Sequence, residues 1–148
     1  MKGFRRILYA TDFSSASRAA FARALELARV NRAELLIAHV IASVGPPGDE
    51  EYVTPRMYQD MEATIRRFAE KRLDPLLARA RKTKVRHKGL LLKGIPHEEI
   101  ARAARQKKAD LVVVGTHGRT GMARVFLGSV AARVISSSPC PVLTVRGR

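Results

Sequence analysis

Chemistry-bearing residues concentrate in one stretch of the 148-residue chain, where Gly115, Gly118 and Gly128-Ser129 follow the spacing Gly-x2-Gly-x9-Gly-Ser. Glycine lets a backbone approach a ligand closely, and N–H groups at a helix start favour an anion, so the pattern suits a phosphorylated ligand. Thr116 and His117 lie inside it, Ser129 adds a hydroxyl donor with Val130 after it, and Arg119 and Arg124 are placed to pair with phosphate oxygens. A glycine-rich turn after a strand has a second reading, as a tight connection; the wider spacing favours the phosphate site. Thr11-Asp12 and His39-Val40 each close an apolar run and so stand at strand ends. Asp12 either starts a turn and caps the next helix or contacts the ligand.

Catalytic signatures are sparse. There is no Gly-x4-Gly-Lys-Ser/Thr loop, so the lysine that stabilises a departing phosphate is missing, and no Gly-x-Ser-x-Gly, Cys/His or paired-carboxylate arrangement appears. Asp12 is the one clear acid at the site, which points to binding with at most slow hydrolysis rather than to a dedicated enzyme. His39, His87, His97 and His117 are scattered without metal-ligand spacing, and Cys140 has no companion.

These residues need a frame, and the periodicity supplies one. Strands are expected at Phe4–Thr11, Ala33–Ile41, Val85–Leu92, Asp110–Val114 and Val142–Val145, and helices from Ser14 or Ser15 to Asn31, His97 to Lys107 and Ser129 to Ser136. Between the second and third strands, Gly45-Pro-Pro-Gly-Asp-Glu-Glu predicts a mobile loop. A long amphipathic segment follows from Met57 to Ala80, with Met61, Ile65, Phe68, Leu73, Leu76 and Leu77 on one face, and Asp74-Pro75 is expected to kink or split it. The alternation β-α-β-α-β-α-β-α-β implies one α/β domain over residues 1–148, with a mostly parallel sheet covered by helices on both faces. In such sheets ligands sit at the carboxyl ends of the strands where strand order reverses.

The chain resembles the universal stress protein family, whose ATP-binding members carry Gly-x2-Gly-x9-Gly-Ser/Thr. The resemblance spans Ile7–Ser14, Ala38-His39-Val40, Gly94–Ile100, Ala109–Gly121, Leu127–Ala131 and Pro139–Val145. It implies a Rossmann-like open five-stranded sheet of order 3-2-1-4-5 that binds ATP or a related adenylate such as AMP, ADP or cyclic AMP. Asp12 would then lie near the ribose and phosphates or a nucleotide-bound Mg2+ or Mn2+, the backbone of Val40 would read the adenine edge, and Gly115, Gly118, Gly128 and Ser129 would cradle ribose and phosphates. The resemblance also implies a homodimer through the edge strand Val142–Val145, and a regulatory role toward a protein partner that the sequence does not name.

Lys plus Arg total 28 against 13 Asp plus Glu, a net charge of +15. That excess attracts polyanions and keeps nucleic acid open as an alternative partner. Against that alternative, 5% of residues are aromatic, tryptophan is absent, and no basic-aromatic ribonucleoprotein motif occurs. The N-terminal apolar stretch is too short for a signal peptide and no run is long enough to span a membrane, so a cytoplasmic location is expected.

Overall fold

The computed structural model describes residues 3–43, 53–117 and 127–147. The expected loop at residues 45–51, together with Gly118, Arg119 and Arg124, lies outside them. Nine elements alternate: β1 (Arg6–Thr11), α1 (Ser15–Asn31), β2 (Glu34–Ala42), α2 (Pro55–Lys82), β3 (His87–Gly94), α3 (Pro96–Gln106), β4 (Leu111–Gly115), α4 (Ser129–Ser137) and β5 (Val142–Val145). The five strands are parallel in the order β3-β2-β1-β4-β5, as the resemblance implied.

That order follows from where apolar side chains must go. Ile7, Tyr9, Leu35, Ile37 and Val113 bury against Phe21 and Leu25 of α1 and Leu73 of α2, while the alternate residues Leu8, Leu36, Ala38 and Val112 bury against Ile100 of α3 and Val134 of α4. The central strands are therefore apolar on both faces. The first two crossovers lie on one face and the last two on the other, so the chain reverses direction between β1 and β4. The carboxyl ends of those two strands frame the site.

The structure settles two points about α2 that the sequence left open. It is one 28-residue helix that runs through Pro75 without splitting. Pro75 and Lys71 are both exposed, so the Lys71 carbonyl that loses its helical N–H partner is left to water. The expected apolar face is also only partly buried: Leu73 is in the core, but Met61 is 49% and Phe68 61% exposed. A 28-residue helix is about 42 Å long, whereas the 9-residue β2 spans about 30 Å, so about 12 Å of α2, or about eight residues, extends past that strand.

β3 begins two residues later than expected. The N–H of Val85 closes the end of α2 on the Ala80 carbonyl at 3.2 Å instead of joining the ladder, which Arg86 enters by accepting from Leu35 N–H at 2.8 Å.

Candidate functional site

A cleft of about 180 Å3 opens at the carboxyl ends of β1, β2 and β4. It gathers Thr11, Asp12, Val40, Gly115, Thr116, Gly128, Ser129 and Val130, which are the expected site residues within the described part of the chain. His39, His117, Pro96 and Ile100 also line it. Of these, His117 was weighed from the sequence as a turn residue or phosphate contact, while Pro96 and Ile100 come from α3 on the opposite side of the motif and carried no local signal.

The β1–α1 turn shows how the first corner is built. Ser14, not Asp12, caps α1, its hydroxyl accepting from Ser17 N–H at 3.2 Å. Asp12 Oδ1 accepts from Ser14 N–H at 2.9 Å, so Asp12 sets the turn and borders the cleft at the same time. Thr11 is committed to the scaffold: its buried hydroxyl accepts from Phe13 N–H at 2.9 Å and from the Ser17 hydroxyl at 2.8 Å, and its carbonyl accepts from His39 Nδ1–H at 2.7 Å. The Tyr9 hydroxyl donates to the Ser17 carbonyl at 2.7 Å, and burial pushes the Tyr9 pKa above its ordinary value. Phe13 adopts a left-handed φ of 64°, and its ring contacts the His39 ring, tilted by 36° at 4.4 Å, and the Arg72 guanidinium at 4.6 Å. Those contacts tie the strained turn to α2 and β2.

The β2 corner follows from strand alternation. Glu34 N–H donates to the Arg5 carbonyl and Leu35 N–H to that of Arg86, so even-numbered residues of β2 turn their amide groups toward β1. The β1–β2 pairing ends at Thr11 opposite His39. By that pattern the Val40 N–H faces the Thr11 carbonyl in the last rung, and the Val40 carbonyl lies beyond it, at the cleft that Val40 lines.

The third corner joins β4 to α4. Thr116 clamps its neck, donating its N–H to the Val145 carbonyl at 2.9 Å and accepting from Gly128 N–H at 2.6 Å. Gly115 has a role the sequence did not separate from ligand approach: a Cβ there would stand 2.9 Å from the Ala16 carbonyl carbon, so its bareness lets β4 pack on the first turn of α1. At Gly128 the helix α4 starts with no side-chain cap. The first intrahelical bond is Ala132 N–H to the Gly128 carbonyl at 3.0 Å, which leaves the N–H groups of Ser129, Val130 and Ala131 without intrahelical acceptors beside the cleft. Nε2 of His117 is buried with no hydrogen-bond partner among the described residues, and Nδ1 lies 2.9 Å from the Thr116 hydroxyl.

Uncapped helical N–H groups, an orphaned ring nitrogen, a carboxylate and an apolar wall thus meet at the reversal point of a parallel sheet. Such a sheet with such a cleft defines a Rossmann-like α/β protein. Residues 3–146 match the model of the universal stress protein family, and the chain belongs to that family. A universal stress protein of Thermus aquaticus is 36% identical, over 97% of this chain and 99% of the relative. One of Methanocaldococcus jannaschii is 33% identical over 97% and 82%, respectively. Among solved structures, the universal stress protein UspA of Lactobacillus plantarum is similar with a TM-score of 0.80 at 28% identity, covering 97% of this chain and 99% of that one. A universal stress protein in complex with cAMP is 26% identical with a TM-score of 0.70, covering 99% of both chains. No helix among the described residues is long and apolar enough to cross a membrane.

Proposed function

We propose that this chain is an adenine-nucleotide-binding regulatory module whose ligand, ATP or another adenylate, lies in the cleft between β1 and β4. The observation that carries the reading is the uncapped start of α4 beside Asp12 and Val40 in one cleft. The free N–H groups of Ser129 and Val130 receive a phosphate, with the helix dipole adding to their attraction. The backbone carbonyl of Val40 offers an acceptor to an adenine edge, and Pro96, Ile100 and Val114 give the cleft an apolar wall for the ring. His117 Nε2 takes a polar partner from the ligand. Asp12 approaches the ribose or, through a bound Mg2+ or Mn2+, the phosphates. That a similar protein is solved in complex with cAMP supports an adenylate as the ligand.

Among the described residues Asp12 is the one carboxylate lining the cleft, which supports a module that binds and signals, with hydrolysis slow at most. Gly118 and Arg119 join the phosphate site on this reading. The protein works in the cytoplasm as a homodimer that pairs the outer edge of β5, where Leu143 is 37% exposed, and presents a nucleotide-dependent surface to a protein partner.

The experiment is calorimetric titration of ATP, ADP, AMP and cAMP into nucleotide-stripped protein at about 150 mM salt, where long-range surface attraction is screened, with Ser129→Asp as the comparison. A carboxylate in the first turn of α4 favours the helix yet occupies the anion position with its own charge. Saturable binding at one ligand per chain, weakened at least tenfold in Ser129→Asp without loss of thermal stability, is the expected result. Equal binding by both proteins contradicts the placement.

A further inference from the structure

The excess charge is not spread evenly. Five segments meet at the pole opposite the cleft, where strands begin and helices end; residues 138–141 carry no charge, and the other four are residues 3–6, 29–34, 79–88 and 105–110. They hold thirteen of the chain's 28 Lys and Arg and only two acids, Glu34 and Asp110. Both acids are engaged locally, Glu34 with Arg6 Nε at 3.4 Å and Asp110 with the N–H groups of Arg5 and Arg6 at 2.7 and 2.8 Å. The segments adjoin one another, since Arg86 donates to the Arg32 carbonyl at 3.5 Å and Arg6 to that of Lys107 at 3.0 Å.

Within this pole one device occurs three times. Helices α1, α2 and α3 each end in a turn whose last residue is left-handed: Arg32 at φ 53°, Lys84 at 57° and Lys108 at 53°. Each has the same pair of closing bonds, for example Ala33 N–H to the Ala28 carbonyl at 2.9 Å and Arg32 N–H to that of Arg29 at 3.3 Å. This is the Schellman geometry, which glycine favours because a Cβ is strained there. Here all three positions carry an exposed cation, and three residues before each stands another, Arg29, Arg81 and Arg105. The helix dipole explains a cation somewhere in a last turn, but not its placement on the one backbone conformation that penalises it.

We infer that this pole is a docking surface for the phosphodiester backbone of duplex DNA, contacted without base reading. Arginine and lysine alone suffice for that chemistry. A protein partner would need buried aromatic or apolar anchors, a single strand would need stacking rings, and membrane association usually adds inserting apolar side chains. Val30 is the exposed large apolar residue in these segments, and none of them contains an exposed aromatic ring. Across β3, β2, β1 and β4 the turns span about 14 Å, the width of three strand spacings. The surface is distinct from the nucleotide cleft and does not depend on its assignment.

The test is a salt titration of fluorescence anisotropy with a short labelled DNA duplex. The variant is Arg32→Gly/Lys84→Gly/Lys108→Gly, which removes three charges while giving each turn its preferred residue, so its thermal midpoint should hold or rise. Its affinity should fall at least tenfold, and the slope of log affinity against log salt should shrink by about 2 to 3. Lys71→Ala/Arg102→Ala/Arg133→Ala, with the same net charge, should bind nearly as the parent does. Equal losses in the two variants would mean that only total charge matters, and would overturn the proposal. So would the absence of duplex binding by the parent, or parental binding to phosphatidylserine vesicles at a salt concentration that has already released the duplex.

Discussion

At Gly115 the missing side chain serves packing as much as any ligand. Gly115→Ala sets a Cβ against the backbone of Ala16 and is expected to destabilise by about 1–3 kcal/mol in urea unfolding, because backbone cannot give way as a side chain tip can. Asp110 makes a second residue-scale prediction. Hydrogen bonds from Arg6 N–H first, and Arg5 N–H after it, hold its carboxyl below the ordinary value despite some opposing burial. A folded pKa below the unfolded one, about 3.9, means that its contribution is present above that pH and lost as pH falls through the folded value. Asp110→Asn should therefore cost up to about 1 kcal/mol at pH 7 and converge with the parent at the acid end of a pH series of urea midpoints. The expected residues that line this cleft each lie near a strand or helix end, where the sequence carries a signal. It did not reveal that the Thr11 hydroxyl is committed to the turn, nor the left-handed Phe13, since both depend on contacts with Ser17, His39 and Arg72 that are remote or conformational.

At the scale of elements, local signals carried boundaries where a cap or a strand-ending polar residue exists. Ser14 marked α1, and the glycine before Ser129 marked α4. The misplacements fall where tertiary structure decides: Val85 is apolar and β-branched, yet its N–H closes a helix, and Pro75 is tolerated because its side of α2 faces water. An unbroken α2 predicts that Pro75→Ala raises stability by about 1–2 kcal/mol, read as a higher urea midpoint at unchanged slope. A helix divided at Pro75 would gain nothing. The sequence placed the apolar residues of α2 on one face, and how much of that face is buried depends on how far the opposing sheet extends, which periodicity does not report.

For the molecule as a whole, the fold separates two chemistries, an anion-receptive cleft at the carboxyl ends of the strands and a cationic pole at their starts. The strand order was legible only through the family resemblance, since alternating elements imply a parallel sheet but not its order, whereas the polar segregation of charge emerges only when the helix ends are brought together. The β5 edge supplies a prediction at this scale: Leu143→Lys should convert a dimer to a monomer in sedimentation velocity, and an unchanged sedimentation coefficient would place self-association elsewhere. The most direct test of the nucleotide cleft is an amide NMR titration of nucleotide-stripped protein with ATP at about 150 mM salt. Shifts confined to Thr11–Phe13, Val40, Thr116-His117 and Ser129–Ala131 are the predicted result; shifts centred on Arg32, Lys84 and Lys108, with the cleft amides unmoved, would contradict it.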